Sequence, residues 1–401
     1  MSVQKTIISC MNVWKVFGSN PESVIDMAAE GASKQDILEQ TGHVIAVKDI
    51  SFDVFENEIF VIMGLSGSGK STLVRCINRL IEATKGSVLI EGEDIAAMDD
   101  DELRQLRRHK LSMVFQYFGL LPHRTVIENV AFGLEIRGDH GKEKEARVSH
   151  SLETVGLKGW ENSHIDELSG GMQQRVGLAR ALAIGSEILL MDEPFSALDP
   201  LIRRQMQDEF INLRTKVKRT VVFITHDLNE ALKLGDRVAI MKDGEIVQIG
   251  TALDIVTKPA DEYVSEFVKD VPRGQVIPAF SITWKPSVLV SGSDDIKRVT
   301  KQVEDENVEA AFIVSKDNKL EGIATLNQLQ RAQKKGDTRV SEAADTKFSS
   351  VLPQTPLDDC LPLVARHNTP LAVVDEEGKL IGVISRARLI EAMQSSGENG
   401  T

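Results

Sequence analysis

The chain has 401 residues, 42% of them apolar and 27% charged, and a formal net charge of −13. That length accommodates two or three domains with separate cores, while the excess of acids argues against a non-specific nucleic-acid binder, which concentrates Lys and Arg against phosphate. Cys10, Cys76 and Cys360 are few and far apart and read as reduced thiols rather than a disulfide framework; no secretory h-region is visible and no run reaches the ~18 apolar residues of a spanning helix, so action at a membrane requires a partner.

Residues 3–17 and 44–62 read as strands, with Phe52, Val54, Ile59, Phe60, Val61 and Ile62 apolar. Between them, 19–43 is polar and helix-prone from about Asp26 to Gln40, and reads as a surface insertion. The second strand runs into Gly64-Leu65-Ser66-Gly67-Ser68-Gly69-Lys70-Ser71-Thr72, a full match to G-x-x-x-x-G-K-[ST]. Glycines let such a loop curl until successive N–H groups face an anion, and the helix that follows adds its partial positive charge. Lys70 then reaches the β- and γ-phosphates, and Ser71 holds Mg²⁺. Leu73, Val74, Ile77 and Leu80 continue at helical spacing.

Ser87 to Ile90 is a short strand ending in the turn Glu91-Gly92. Asp99 to Lys110 is helical, and its Arg104, Arg107, Arg108 and Lys110 read as a solvated face. Leu111 to Gln116 is a strand ending in a polar residue, followed by the aromatic loop Tyr117 to Pro122. Helices fill most of 125–158, and Leu168-Ser169-Gly170-Gly171-Met172-Gln173-Gln174-Arg175 opens another that runs through Ala183.

Ile188 to Met191 is apolar and ends in Asp192-Glu193; Ser196 to Asp199 follows, then a helix, then Val221 to Thr225 ending in His226. Apolar strands that terminate in single polar side chains mark the ligand-binding edge of an open parallel sheet. Strands alternating with helices predict an α/β fold with a mostly parallel core. Asp192 suits the metal shell, Glu193 polarises a water for in-line attack on the γ-phosphate, His226 hydrogen-bonds that phosphate or water, and Gln116 offers an amide oxygen. Val238 to Ile249 forms a hairpin around Asp243-Gly244.

Beyond Pro272 the pattern is interrupted by Gly274, Pro278 and Pro286, as in a linker. A repeat follows: Phe312 to Ile323 aligns with Ala372 to Val383 at an offset of 60 residues (380 − 320). Each copy reads strand, turn, strand, helix, and would pair with its twin to cover an apolar sheet face.

The motifs taken together resemble the ATP-binding cassette ATPases. Gly64 to Thr72 is similar to their Walker A motif, Gln116 to the Q-loop, Leu168 to Arg175 to the signature motif, Asp192-Glu193 to Walker B with its catalytic Glu, Ser196 to Asp199 to the D-loop, and His226 to the H-loop. The resemblance implies a P-loop NTPase domain over 1–275, binding ATP and Mg²⁺, that forms a head-to-tail homodimer. Each nucleotide would be gripped by Lys70's loop in one copy and by Ser169, Gly170, Gly171 and Gln173 of the other. It implies metal contacts from Ser71, Gln116 and Asp192, and catalysis by Glu193, His226 and Lys70. The adenine-stacking aromatic falls on Phe17, or on Trp14 in another register. Tyr117 to Leu121 would line a groove for a membrane permease, which places the chain peripherally on the cytoplasmic side of the membrane.

The insertion, the core and the repeat together resemble the ATP-binding subunit of glycine betaine/proline betaine importers, served indirectly by a solute-binding protein. The repeat is similar to a pair of α+β CBS modules, 276–336 and 337–395, with a tail at 396–401. It departs from their nucleotide-binding version, whose ribose-binding Asp follows Ser or Thr by three residues: Gln328 follows Thr325, and Arg388 follows Ser385. A rival reading is a non-transport ATPase working on nucleic acid or the ribosome. Such members carry two cassettes or long inserted coiled coils, and neither is present here.

Overall fold

The computed structural model describes residues 4–116, 119–196, 198–216, 218–366 and 369–394. Tyr117 and Phe118 of the expected groove, Ala197 of the D-loop motif, and the 396–401 tail lie outside them. The chain forms two compact units, Met1–Val268 and Lys269–Thr401.

Ten strands build the first unit: β1 (Thr6–Phe17), β2 (Val44–Phe55), β3 (Ile59–Met63), β4 (Lys85–Ile90), β5 (Glu93–Asp94), β6 (Leu111–Val114), β7 (Ile188–Asp192), β8 (Thr220–Thr225), β9 (Arg237–Lys242) and β10 (Glu245–Gly250). One sheet has the order β2-β1-β4-β5; the other has the order β10-β9-β3-β8-β7-β6. In the latter, β9 to β6 run parallel and only the edge strand β10 is antiparallel. The continuous 44–62 strand expected from the sequence is broken after Phe55, where Asn57 turns with φ 63°. The turn sends β2 and β3 into different sheets. Their rings Phe52 and Phe60 then stack across the gap with centroids 4.9 Å apart.

All five residues of β3 and of β7 are buried, as a central parallel strand covered on both faces requires. Leu73, Val74 and Ile77 from the helix Lys70–Ile77 join residues of both sheets in one apolar core. The phosphate loop is therefore fixed at its strand end and at its helix end. Further on, helices Val126–Arg137, Gly141–Thr154 and Gly170–Ile184 pack on one another.

The 19–43 segment is not a surface decoration. It holds short helices at Ile25–Ala29 and Lys34–Thr41, the second opened by a Ser33–Asp36 capping box and closed by Gly42 at φ 72°. Val24, Ile25, Ala28 and Ile37 are buried with Trp14, Val16 and Ile45 in a core of their own. Nor is the basic helix 100–109 purely solvated, because Arg107 donates to the carbonyls of Asn78 and Arg79.

The second unit contains β11 (Leu289–Val290), β12 (Ala310–Val314), β13 (Leu320–Thr325), β14 (Ser350–Val351), β15 (Leu371–Val374) and β16 (Leu380–Ile384), in two three-stranded sheets of identical order. Each copy's first pair is parallel and its second antiparallel. Phe312 and Ile323 of one copy pack with Ala372 and Val383 of the other, so each sheet buries the other's apolar face. The turns interlock: Leu320 N–H donates to Gly378 O, and Leu380 N–H donates to Asn318 O. These two bonds exchange under a 60-residue shift, a local twofold relationship between the copies. Residues 269–284 also belong to this unit. Ala279 N–H donates to Thr355 O, and Trp284 and Val383 exchange hydrogen bonds.

Candidate functional site

The phosphate loop leaves β3 with Gly64 buried and Leu65 58% exposed. Gly69 has φ 101°, and a Cβ there would stand 2.1 Å from Ala46 O, so no side chain fits. The Lys70 ammonium donates to Gly64 O at 2.8 Å and Leu65 O at 2.9 Å, which holds it over the concave side of its own loop. Burial lowers its pKa, an effect opposed by Glu193 and Asp192. The Ser68 hydroxyl is buried and without a partner.

Asp192 ends β7 and is fully buried. Ser71 Oγ donates to its Oδ1 at 2.8 Å, while Oδ2 has no hydrogen bond and only a 3.6 Å ion pair to Arg75. Burial raises this carboxyl above the ordinary aspartate range, outweighing Ser71 and Arg75, which lower it. A buried carboxylate oxygen lacking a hydrogen-bond donor, next to a hydroxyl, fits the shell of a hard cation. Among the described residues no cluster of three His, Cys, Asp or Glu offers another metal site.

Glu193 follows with φ 48°, a left-handed backbone that is costly for a side chain of this kind. Its N–H donates to Ile224 O at 3.1 Å, which ties the end of β7 to β8. The carboxylate is met from two sides: His226 Nδ1 lies 3.1 Å from Oε2, and Gln116 Nε2 lies 3.4 Å from the same atom. Three strand ends far apart in sequence thus converge on one oxygen.

After Glu193 the chain turns tightly. Arg203 binds the turn from below, donating to the carbonyls of Phe195, Ser196 and Leu198 and lying 3.8 Å from Asp227. Asp199 is exposed and caps the helix Pro200–Lys216 through the N–H groups of Leu201 and Ile202. Sequence reasoning passed over Arg203. Its spacing four residues past Asp199 is a helical one, and carries no sign of which carbonyls it reaches.

Ser169 caps the helix Gly170–Ile184, accepting from Met172 N–H, and Ser169 and Gly170 are exposed. Gln173 donates its amide to Ile165 O at 2.9 Å and Leu168 O at 3.2 Å, so within the chain it secures the turn that presents Ser169. Among the described residues, no hydrogen bond or ion pair joins this segment to the phosphate loop of the same copy. At the end of β1, Phe17 is 42% exposed with Lys15 Nζ 5.1 Å from its ring centroid, whereas Trp14 is 5% exposed. Trp14 is committed to the insertion core, whereas the Phe17 ring is open to solvent.

In the second unit, Thr325 donates its hydroxyl and its N–H to Gln328 Oε1, and the Arg388 guanidinium lies 4.7 Å over Trp284. At the two places that hold a ribose-binding Asp in nucleotide-binding CBS modules, Gln328 thus caps its own helix and Arg388 is exposed over an indole.

Comparison with known proteins identifies the family. A family model described as "ABC transporter" matches residues 47–196, and one described as "CBS domain" matches 340–395. The "Glycine betaine/proline betaine transport system ATP-binding protein ProV" of Escherichia coli K12 is 46% identical over 97% of this chain and 98% of its own length. The "Glycine betaine transport ATP-binding protein OpuAA" of Bacillus subtilis is 45% identical over 98% of this chain and 93% of its own. Among solved structures, the dimeric post-hydrolysis state of the ATP-binding cassette MJ0796, bound to ADP and Pi, is 34% identical with a TM-score of 0.53, covering 61% of this chain and 99% of that one. With relatives of 45% and 46% identity matched over nearly their whole length, the chain belongs to the ATP-binding cassette transporter family, among its glycine betaine transport ATP-binding proteins.

Proposed function

We infer that this chain is the ATP-hydrolysing subunit that energises import of an osmoprotectant of the glycine betaine/proline betaine class through a membrane permease. The observation that carries the reading is Glu193, held on a left-handed backbone at the end of β7 with Gln116 and His226 on its Oε2.

The triphosphate of ATP lies on residues 64–72, with Lys70 as the cation for its β- and γ-phosphates and the buried Ser68 hydroxyl as a donor. Ser71, Asp192 and Gln116 hold Mg²⁺, which supplies charge neutralisation on the phosphate oxygens. Glu193 takes the proton of the attacking water, while His226 and Gln116 keep the carboxylate aimed. Positioning and charge do the chemistry, with no covalent intermediate. Phe17 stacks on adenine.

Because Ser169 and Gly170 face solvent at a helix N-terminus, with Gly171 behind them, they suit an anion clamp for the nucleotide of a second copy. Asp199 stands exposed beside them in the same reading, so two ATP molecules are sandwiched head to tail. Arg104, Arg107, Arg108 and Arg180 border an open cavity of about 490 Å³ with Phe115 and Phe132. That cavity suits a short amphipathic helix of the permease carrying an acidic residue. No described helix is long and apolar enough to cross a membrane, in keeping with peripheral attachment on the cytoplasmic side.

Detergent extraction of the native complex tests the reading. A multi-spanning partner should co-purify, and vesicles holding the complex should take up glycine betaine only with ATP. Ribosomes or DNA bound in place of a spanning protein would replace it with the nucleic-acid alternative.

A further inference from the structure

The segment 19–43 meets the immediate neighbours of two candidate nucleotide-binding elements, Phe17 and the phosphate loop. Its last residue, His43, is 7% exposed and lies against Gly18: a Cβ on Gly18, where φ is +152°, would stand 2.1 Å from the imidazole Cδ2. His43 Nε2 accepts from Asn20 N–H at 3.4 Å, and Nδ1 lies 3.0 Å from both Thr41 O and Thr41 Oγ1. Contacts at both ring nitrogens hold the imidazole in one orientation. Gly18 directly follows Phe17, and Phe17 pairs with Val44, which directly follows His43. The imidazole therefore wedges the two chains that carry the exposed phenyl ring.

At the other place the helix Lys34–Thr41 reaches the tip of the β9–β10 hairpin. Lys34 Nζ lies 2.9 Å from where a Gly244 side chain would begin, among Asp243 and Glu245. Gly244 in turn donates to Ser68 O at 3.0 Å and accepts from Lys48 N–H at 2.8 Å. The same small core thus supports the ring end of the pocket and braces the turn behind the phosphate loop.

We propose that residues 19–43 are a positioning element of the nucleotide site, in which His43 beside Gly18 sets the orientation of the Phe17 ring against adenine. This rests on the reading of Phe17 given above. A base stacked on an aromatic ring contributes binding that alanine substitution removes. Misplacing the ring without removing it forfeits part of that.

Calorimetric titration of the full-length chain with ATP and with inorganic tripolyphosphate, which has no base, separates the possibilities. Phe17→Ala should weaken ATP roughly tenfold or more and leave tripolyphosphate unchanged. His43→Ala should weaken ATP by about threefold to tenfold, again with tripolyphosphate unchanged, and should add nothing in the Phe17→Ala background. His43→Gln, which keeps an acceptor and a donor, should recover part of the loss. Gly18→Ala, which pushes a methyl into the imidazole from the opposite side, reaches the same displacement by a route that leaves His43 in place. If Phe17→Ala leaves ATP affinity unaltered, the Phe17 reading fails. Should Phe17→Ala weaken ATP while His43→Ala and Gly18→Ala do not, the positioning role alone is overturned. Equal losses of ATP and tripolyphosphate in the His43 variant would also overturn it, since they signal general damage to the fold.

Discussion

Nδ1 of His226 stands 3.1 Å from Oε2 of Glu193, although 33 residues separate them in the chain. The contact exists because β7 and β8 are parallel neighbours whose carboxyl ends fall side by side, Asp192 opposite Ile224. A general base at this place predicts that Glu193→Gln keeps ATP binding but lowers the steady-state ATPase rate by ~10²–10⁴. A rate equal to the parental one in a phosphate-release assay would remove Glu193 from the mechanism.

Asp192 gives a prediction about stability. Its carboxyl is raised above the ordinary aspartate range, mainly by burial. A carboxyl with a raised folded-state pKa contributes stability below its unfolded value and loses it as pH climbs through the folded one. At neutral pH the nucleotide-free protein therefore carries the cost of this buried charge. Asp192→Asn should raise its Tm near pH 7.5 by ~2–4 °C and abolish magnesium-dependent hydrolysis. The gain should fade as pH falls and vanish below pH ~3, where the carboxyl is protonated folded or unfolded. A lower Tm for the variant at pH 7.5, by scanning calorimetry, contradicts this account.

Arg203 joins the turn after Glu193 to Asp227, next to His226. Replacing it by Met leaves three carbonyls without their charged donor. The expected loss is ~2–3 kcal/mol in urea unfolding of the first unit. The ATPase rate should fall with little change in ATP affinity, and Lys should restore only part of it, because an ammonium cannot span three acceptors as a planar fork does. An Arg203→Met protein as active as the parent would show that the turn holds itself.

The second unit can be loosened at one atom. A Cβ on Gly382 would lie 2.5 Å from Trp284 O and 2.4 Å from Thr283 Cγ2. Gly382→Val should therefore detach residues 283–284 from β16, seen as faster amide exchange at Trp284 and Val383. ATP hydrolysis by the first unit should persist in this variant and in a chain ending at Val268. In the reconstituted transporter, both are expected to alter the dependence of transport on salt. An unchanged salt response in both removes any sensing role from the CBS pair.

Much of this was legible in the chain because the informative signals are short in range. An apolar strand ending in Asp192-Glu193, another ending in His226, and glycines spaced ahead of Lys70 each state their chemistry within a dozen residues. The repeat at an offset of 60 residues announced a paired unit for the same reason. The 19–43 segment misled because helices this short bury only one or two residues each, Ile25 and Ala28 in the first and Ile37 in the second, and leave no stripe from which a partner can be inferred. Arg107 misled in a related way: a polar side chain declares what it can donate, not which carbonyl will receive it.

The sequence by itself determined the chemistry on offer, a phosphate loop, two acids, an amide and an imidazole at strand ends, together with the doubled tail. Tertiary structure alone decided that Gln116 and His226 meet the same oxygen of Glu193, that Arg203 binds the turn beyond it, that Trp14 is buried while Phe17 is not, and that 269–284 folds with the second unit. Those outcomes depend on which strands lie adjacent and on what covers each apolar face. Both are set by burial summed over the whole molecule, which no local pattern of residues contains.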